Sequence, residues 1–207
     1  GGMLALIGES GSGKTTLRRY AIDRMQTEGQ KVRVITPRII DKSRLTAASI
    51  CDAIILDCSE EKPKRTLEGK ARQIERILTN SSRAGWSHVL MIEEAHDLHI
   101  QTLKYLKRFW ELEDGFKKLL AIILIGHVTK DGSIGGPKAL EHLVDVVLFL
   151  EGLRTENYRI LRAFKNRFGA TDAVGLFRMD SDGLKDLSNP GMEFIDENNF
   201  SLSGSAL

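Results

Sequence analysis

The sequence predicts an α/β fold of three layers, with a mostly parallel sheet between helices and an antiparallel extension toward the C-terminus. Three observations carry this reading. Met3–Ile7, Val89–Ile92 and Leu119–Ile125 are short apolar runs, as expected for parallel strands covered on both faces. They alternate with longer stretches of helical spacing, the pattern of βα units. After Gly152 the alternation stops, and Tyr158–Ala163 and Val174–Met179 follow one another as strands with no helix between them.

The elements follow in order. Met3–Ile7 ends in glycine and opens the sheet. Gly13–Glu28 places Leu17, Tyr20, Ala21 and Met25 at helical spacing, with Gly29 as its stop. Lys31–Thr36 alternates, is rich in β-branched residues and ends at Pro37, so it reads as a second strand. Leu45–Leu56 and Thr66–Ala84 read as helices separated by the polar, proline-containing stretch Ser59–Arg65. Val89–Ile92 is a third strand, Ile100–Glu113 an amphipathic helix and Leu119–Ile125 a fourth strand. Gly132–Pro137 reads as a loop, Lys138–Leu143 as a short helix and Val146–Leu150 as a fifth strand.

A chain of 207 residues suits one large domain, taken here as 1–195 with a loose tail at 196–207. With 42% hydrophobic and 28% charged residues it reads as an ordinary folded chain, not a disordered one. The net charge of +2 neither demands nor excludes a nucleic-acid partner. Cys51 and Cys58 are too few for a disulfide framework and lack the paired spacing of a zinc site, so they read as core thiols in a reducing compartment. The longest apolar run, Leu119–Ile125, falls well short of the ~18 residues that span a bilayer, so no membrane partner is expected. The first residues enter a strand without a basic leader, and a cytoplasmic location is the expectation.

Gly8-Glu9-Ser10-Gly11-Ser12-Gly13-Lys14-Thr15 matches G-x-x-x-x-G-K-[ST], directly after a strand and directly before a helix. This is a P-loop. Its glycines let the backbone turn N–H groups inward, and the helix N-terminus adds its positive end, so phosphate is held by fixed dipoles. Gly8 through Thr16 are the expected nucleotide-binding residues. Lys14 reaches the β- and γ-phosphates of ATP, and the Thr15 hydroxyl is placed to ligate Mg2+. The other half of such a site is an acidic pair at the end of another buried strand, and Glu93-Glu94 after Val89–Ile92 supplies it. Glu93 is expected to hold the magnesium shell, and Glu94 to orient and activate the attacking water. Glu93 stands where Asp is usual in this layout and is one methylene longer. His96 and His99 lie nearby but read as surface residues, because two histidines without other ligand types make a poor metal centre.

From Met3 to about Gly126 the chain resembles the AAA+ ATPases of the MuB, TnsC and ExeA kind, on Gly8–Thr16, the stretch Met91–Leu98 (M-I-E-E-A-H-D-L) and Leu119–Gly126 (L-L-A-I-I-L-I-G). From Gly126 onward the resemblance is to the RadA (Sms) recombination ATPases. Gly126–Gly132, Gly136-Pro137, Leu140–His142, Val144-Asp145, Leu150–Gly152 and Arg159–Ala163 carry it, and Lys165-Asn166-Arg167-Phe168-Gly169 is the signature K-N-R-F-G. Gly175, Phe177–Met179, Gly183-Leu184 and Asn189-Pro190 continue the pattern. The chain therefore resembles a chimera of an AAA+-like front, 1–126, and a RadA-like back, 127–195, with natural and constructed origins both open.

The resemblance implies a RecA/AAA+ core with strand order 5-1-4-3-2, counted along the chain. It implies that His127 senses the γ-phosphate, with a plain strand-end histidine as the alternative. It places the DNA-contacting loop at Val128–Lys138, where Lys130 and Lys138 would meet the phosphates of single-stranded DNA; an ordinary surface loop is the alternative. Lys165 and Arg167 resemble groups that reach a neighbour's ATP in a homo-oligomer, ring or filament. The expected function is an ATP-binding, weakly hydrolysing domain that couples ATP or ADP state to oligomerisation and DNA contact. The competing expectation is a folded chimera that binds nucleotide without evolved activity.

Overall fold

Alternation along the first strand sets the two faces of the core. In β1 (Met3–Gly8), Met3, Ala5 and Ile7 turn to one face of the sheet, whereas Leu4 and Leu6 turn to the other. The computed structural model describes residues 2–27, 29, 31–37, 45–128, 142–152 and 157–187. Along these run α1 (Lys14–Thr27), β2 (Val32–Ile35), α2 (Ala47–Cys58), α3 (Leu67–Arg83) and β3 (Ser87–Ile92). A single 3-10 turn, Ala95–Asp97, leads to α4 (Ile100–Glu111). The hairpin β4 (Glu113–Asp114) and β5 (Lys117–Lys118) precedes β6 (Ala121–His127), and β7 (Val146–Gly152), β8 (Tyr158–Asn166), β9 (Val174–Asp180) and β10 (Gly183–Asp186) complete the order.

The main sheet runs β10-β9-β8-β7-β1-β6-β3-β2. Strands β7, β1, β6, β3 and β2 are mutually parallel. Counted along the chain these are the five predicted strands, in the expected order 5-1-4-3-2. The antiparallel extension is β8, β9 and β10, added beyond β7. The sequence predicts β8 and β9 but neither β10 nor the β4–β5 hairpin. Of the short helix expected at Lys138–Leu143, His142 and Leu143 are helical, and the rest lies outside the described residues.

Helices α2, α3 and α4 cover one face of the sheet. Ile54, Ile74, Leu78, Leu103 and Leu106 are all fully buried there, with Met3, Ile122 and Leu124 from the strands. Truncating one of them, Ile54→Ala for instance, is expected to cost about 2–5 kcal/mol, because the cavity adds to the lost transfer energy. The helix starts are satisfied locally. Thr46 and Ser49 form a reciprocal capping box on α2, and Thr66 accepts from Gly69 N on α3. Cys51 and Cys58 are free thiols buried in this layer. Among the described residues no helix is long and apolar enough to cross a membrane.

The other face is covered by α1 and by the extension curling back over it. Leu17 of α1 packs with Leu6, Ile125, Leu150 and Leu184. Tyr20 stands edge-on to Phe177 at 6.1 Å, and its hydroxyl donates to Asp186 Oδ2 at 2.6 Å. This packing carries β9 and the β9–β10 turn alongside the first turns of α1, next to the end of β1.

Candidate functional site

The chain leaves β1 at Gly8 through a tight turn, closed by Ser12 N donating to Glu9 O at 3.2 Å, and enters α1 at Lys14. Two glycines there have no substitute. A Cβ on Gly8 would collide with the Leu150 carbonyl of the neighbouring strand. Gly13 has φ +99, and a Cβ on it would lie 2.6 Å from Met179 Cε. The first N–H groups of α1 have no carbonyl partner within the helix, so this end of the loop attracts anions. Lys14 is 7% exposed, and its Nζ donates to Gly8 O at 2.8 Å and Glu9 O at 2.6 Å. Burial draws its pKa below the ordinary lysine value, and the charge of Glu94 opposes that shift.

Lys14 faces a cavity of about 750 Å³ that also receives Thr15, Glu93, Glu94 and His127. The ends of three adjacent parallel strands converge on it. β1 supplies the loop, β3 the two carboxylates and β6 the histidine. Glu93 Oε1 pairs with Arg18 Nε at 3.0 Å. Glu94 is the one non-glycine residue with positive φ among the described residues, at φ 52 and ψ 41. Such a backbone costs on the order of 1–2 kcal/mol, a strain that recurs at functional sites. It directs the carboxylate so that Oε2 lies 3.1 Å from His127 Nε2 and 3.5 Å from His96 Nδ1. The two imidazoles meet edge to face at 5.2 Å.

His96, expected on the surface, thus joins the Glu94–His127 cluster. His99 caps α4 instead, its Nδ1 accepting from Gln101 N at 3.3 Å. Among the described residues no group of three or more His, Cys, Asp or Glu is arranged to hold a metal ion. Thr15 and Glu93 offer a hydroxyl and a carboxylate on one cavity, a hard-oxygen pair. That fits magnesium, which takes few protein ligands and completes its shell with phosphate oxygens and water.

Lys165 and Arg167 are not in this cavity. They sit at the opposite end of the sheet, where β1 and β7 begin. Lys165 Nζ donates to Val144 O at 2.8 Å, and Arg167 Nη1 to the buried Asp145 Oδ1 at 2.7 Å. Asp145 Oδ2 accepts from Met3 N at 3.1 Å, so this carboxylate ties the KNRFG segment to the first strand. Lys130 and Lys138 lie outside the described residues. Sequence reasoning missed Arg18, Arg19 and Met179, all of which line the loop cavity. Arg18 was within reach, being one helical turn after Lys14; Met179 left no local signal.

The family described as "AAA domain" matches residues 1–129. The DNA repair protein RadA of Halalkalibacterium halodurans (strain C-125) is 50% identical over 88 residues, which is 42% of this chain and 19% of that protein. The match therefore spans about a fifth of that relative's length. Among solved structures, a DnaB-like replicative helicase superposes with a TM-score of 0.58 at 11% identity, covering 90% of this chain and 57% of that one. The RadB recombinase superposes with a TM-score of 0.50 at 16% identity, covering 90% and 91%. At such identities the likeness establishes the fold, that of the RecA-like P-loop ATPases.

Proposed function

Because the chain belongs to the AAA domain family, we propose that it binds ATP with magnesium and hydrolyses it slowly, coupling nucleotide state to self-association and single-stranded DNA contact. The observation that carries this reading is the convergence of Lys14, Thr15, Glu93, Glu94 and His127 on one cavity at three adjacent strand ends. The backbone of Gly8–Thr16 and the start of α1 would hold the phosphates, and Lys14 would leave its two carbonyls for the β- and γ-phosphate oxygens. Thr15 and Glu93 would hold the magnesium ion, which when bound supplies charge neutralisation on those oxygens. Glu94 would orient a water in line with the γ-phosphorus and take its proton as the bond to the ADP oxygen breaks. His127 would report through Glu94 whether the γ-phosphate is present.

The other elements of the proposal depend on partners. Arg167 is half-exposed and keeps guanidinium donors beyond its bond to Asp145, so with Lys165 it is suited to meet a neighbouring subunit. The segment Val128–Lys138, with Lys130 and Lys138, is proposed to contact DNA phosphates. The similarity to a protein named for DNA repair supports that part. A composite origin, AAA+-like before Gly126 and RadA-like after it, accommodates both the family match over 1–129 and the partial RadA similarity.

One observation favours the second reading, a chain that binds nucleotide without turnover. Arg18 occupies the Glu93 carboxylate that magnesium would need. Steady-state ATP hydrolysis with and without single-stranded DNA, beside Lys14→Ala, separates the two. Turnover raised by DNA and lost in the variant supports the coupled ATPase; ATP binding with no turnover in either condition overturns it.

A further inference from the structure

A second cavity, of about 600 Å³, opens beside the phosphate loop. Thr16, Arg19 and Met179 line both cavities, so the two form one continuous cleft. Its far wall is the β9–β10 turn, with Ser181 and Asp182. A nucleotide held by its phosphates in the first cavity must place its nucleoside somewhere adjoining, and this cleft is the adjoining room with the right chemistry.

Resting on the ATP site proposed above, we infer that the second cavity is the nucleoside subsite, with Met179 as the platform for the base and Asp182 as an acceptor at its edge. Met179 is held in place from two sides. Its N donates to Asn157 O at 2.6 Å, and its Cε lies against Gly13 of the loop. A thioether on an aromatic face makes a favourable, shape-tolerant contact. The neighbouring carboxylate, Asp180, is committed to the turn, accepting from Asp182 N at 2.9 Å and Gly183 N at 3.1 Å and pairing with Lys185 at 2.6 Å. Asp182 is 78% exposed and meets Lys185 only at 3.7 Å, so it retains acceptor capacity. An ionised carboxylate only accepts, so it suits the exocyclic amino group of adenine and disfavours the carbonyl that replaces it in hypoxanthine. Arg19, on the wall shared by the two cavities, has no side-chain partner among the described residues and lies at the junction of phosphate and nucleoside.

The test is equilibrium binding of three magnesium-complexed probes, ADP, IDP and inorganic tripolyphosphate, to the whole chain and its variants. Met179→Ala is expected to weaken ADP about 3- to 10-fold and leave tripolyphosphate unchanged, with Met179→Leu in between. Asp182→Ala, on an exposed turn where folding is not at stake, is expected to reduce the preference for ADP over IDP. Lys14→Ala is expected to weaken all three probes. If the Met179 variants bind ADP as the parent does, or lose ADP and tripolyphosphate equally, or if Asp182→Ala leaves the ADP preference intact, the subsite assignment is wrong. Unchanged tripolyphosphate binding in Lys14→Ala would instead sink the phosphate site itself.

Discussion

The Glu94 carboxylate lies 3.1 Å from Nε2 of His127, across the ends of the neighbouring strands β3 and β6. A carboxylate held by an imidazole is oriented but also occupied, so the water it is proposed to activate must compete with His127 for it. Glu94→Gln keeps the shape and removes the base. Turnover is expected to fall by roughly 100-fold or more while ATP binding persists. Turnover within a few-fold of the parent would remove Glu94 from the chemistry.

Arg18 and Glu93 form the second pair across this cavity, at 3.0 Å and with both side chains mostly buried. The guanidinium neutralises the carboxylate proposed for magnesium. Arg18→Ala is therefore expected to lower the magnesium concentration for half-maximal turnover by about 2- to 5-fold, and Glu93→Ala to raise it. A magnesium titration checks both. An unchanged midpoint in both variants would place the metal elsewhere.

At the far end of the sheet, Asp145 is 1% exposed and joins Met3 N to Arg167. Arg167→Ala leaves the buried carboxylate with less compensation and is expected to cost about 1–3 kcal/mol in urea unfolding. Asp145→Ala strands the Met3 N–H as well and is expected to cost about 3–5 kcal/mol. If Arg167→Ala keeps full stability yet changes the oligomeric state, its role is at a subunit contact alone.

The parallel core was legible because its strands are buried on both faces, which forces runs such as Leu119–Ile125 to be apolar throughout. The loop and the acidic pair were legible because each follows such a strand immediately. Strand β10 was not: Gly183–Asp186 has one apolar residue, Leu184, and owes its conformation to pairing with β9. The β4–β5 hairpin carries a readable signal in Asp114-Gly115, with Gly115 at φ 64, but its strands are too short to show a period. Met179 and the Glu94–His96–His127 cluster depend on how the extension and the 3-10 turn pack, which local pattern does not encode.

Burial pushes the Cys51 thiol up to about 12 and the Cys58 thiol up to about 11. Both are expected to resist alkylation at pH 8 until the chain unfolds, since the thiolate is the reactive form. Unfolded thiols ionise near about 8.5 while the folded ones keep their protons, so above that pH the unfolded state binds fewer protons and stability falls as pH rises. Rapid labelling of either thiol in the native chain at pH 8 would contradict the burial.

Every step proposed for this chain depends on the loop Gly8–Thr15 holding the phosphates of ATP. Calorimetric titration of the chain and its Lys14→Ala variant with magnesium-ATP measures that grip without needing turnover, DNA or a second subunit. Saturable binding at one site, weakened at least about 10-fold in the variant with its melting temperature unchanged, is the predicted result. Equal affinity in both chains, or no binding to the parent, would contradict it.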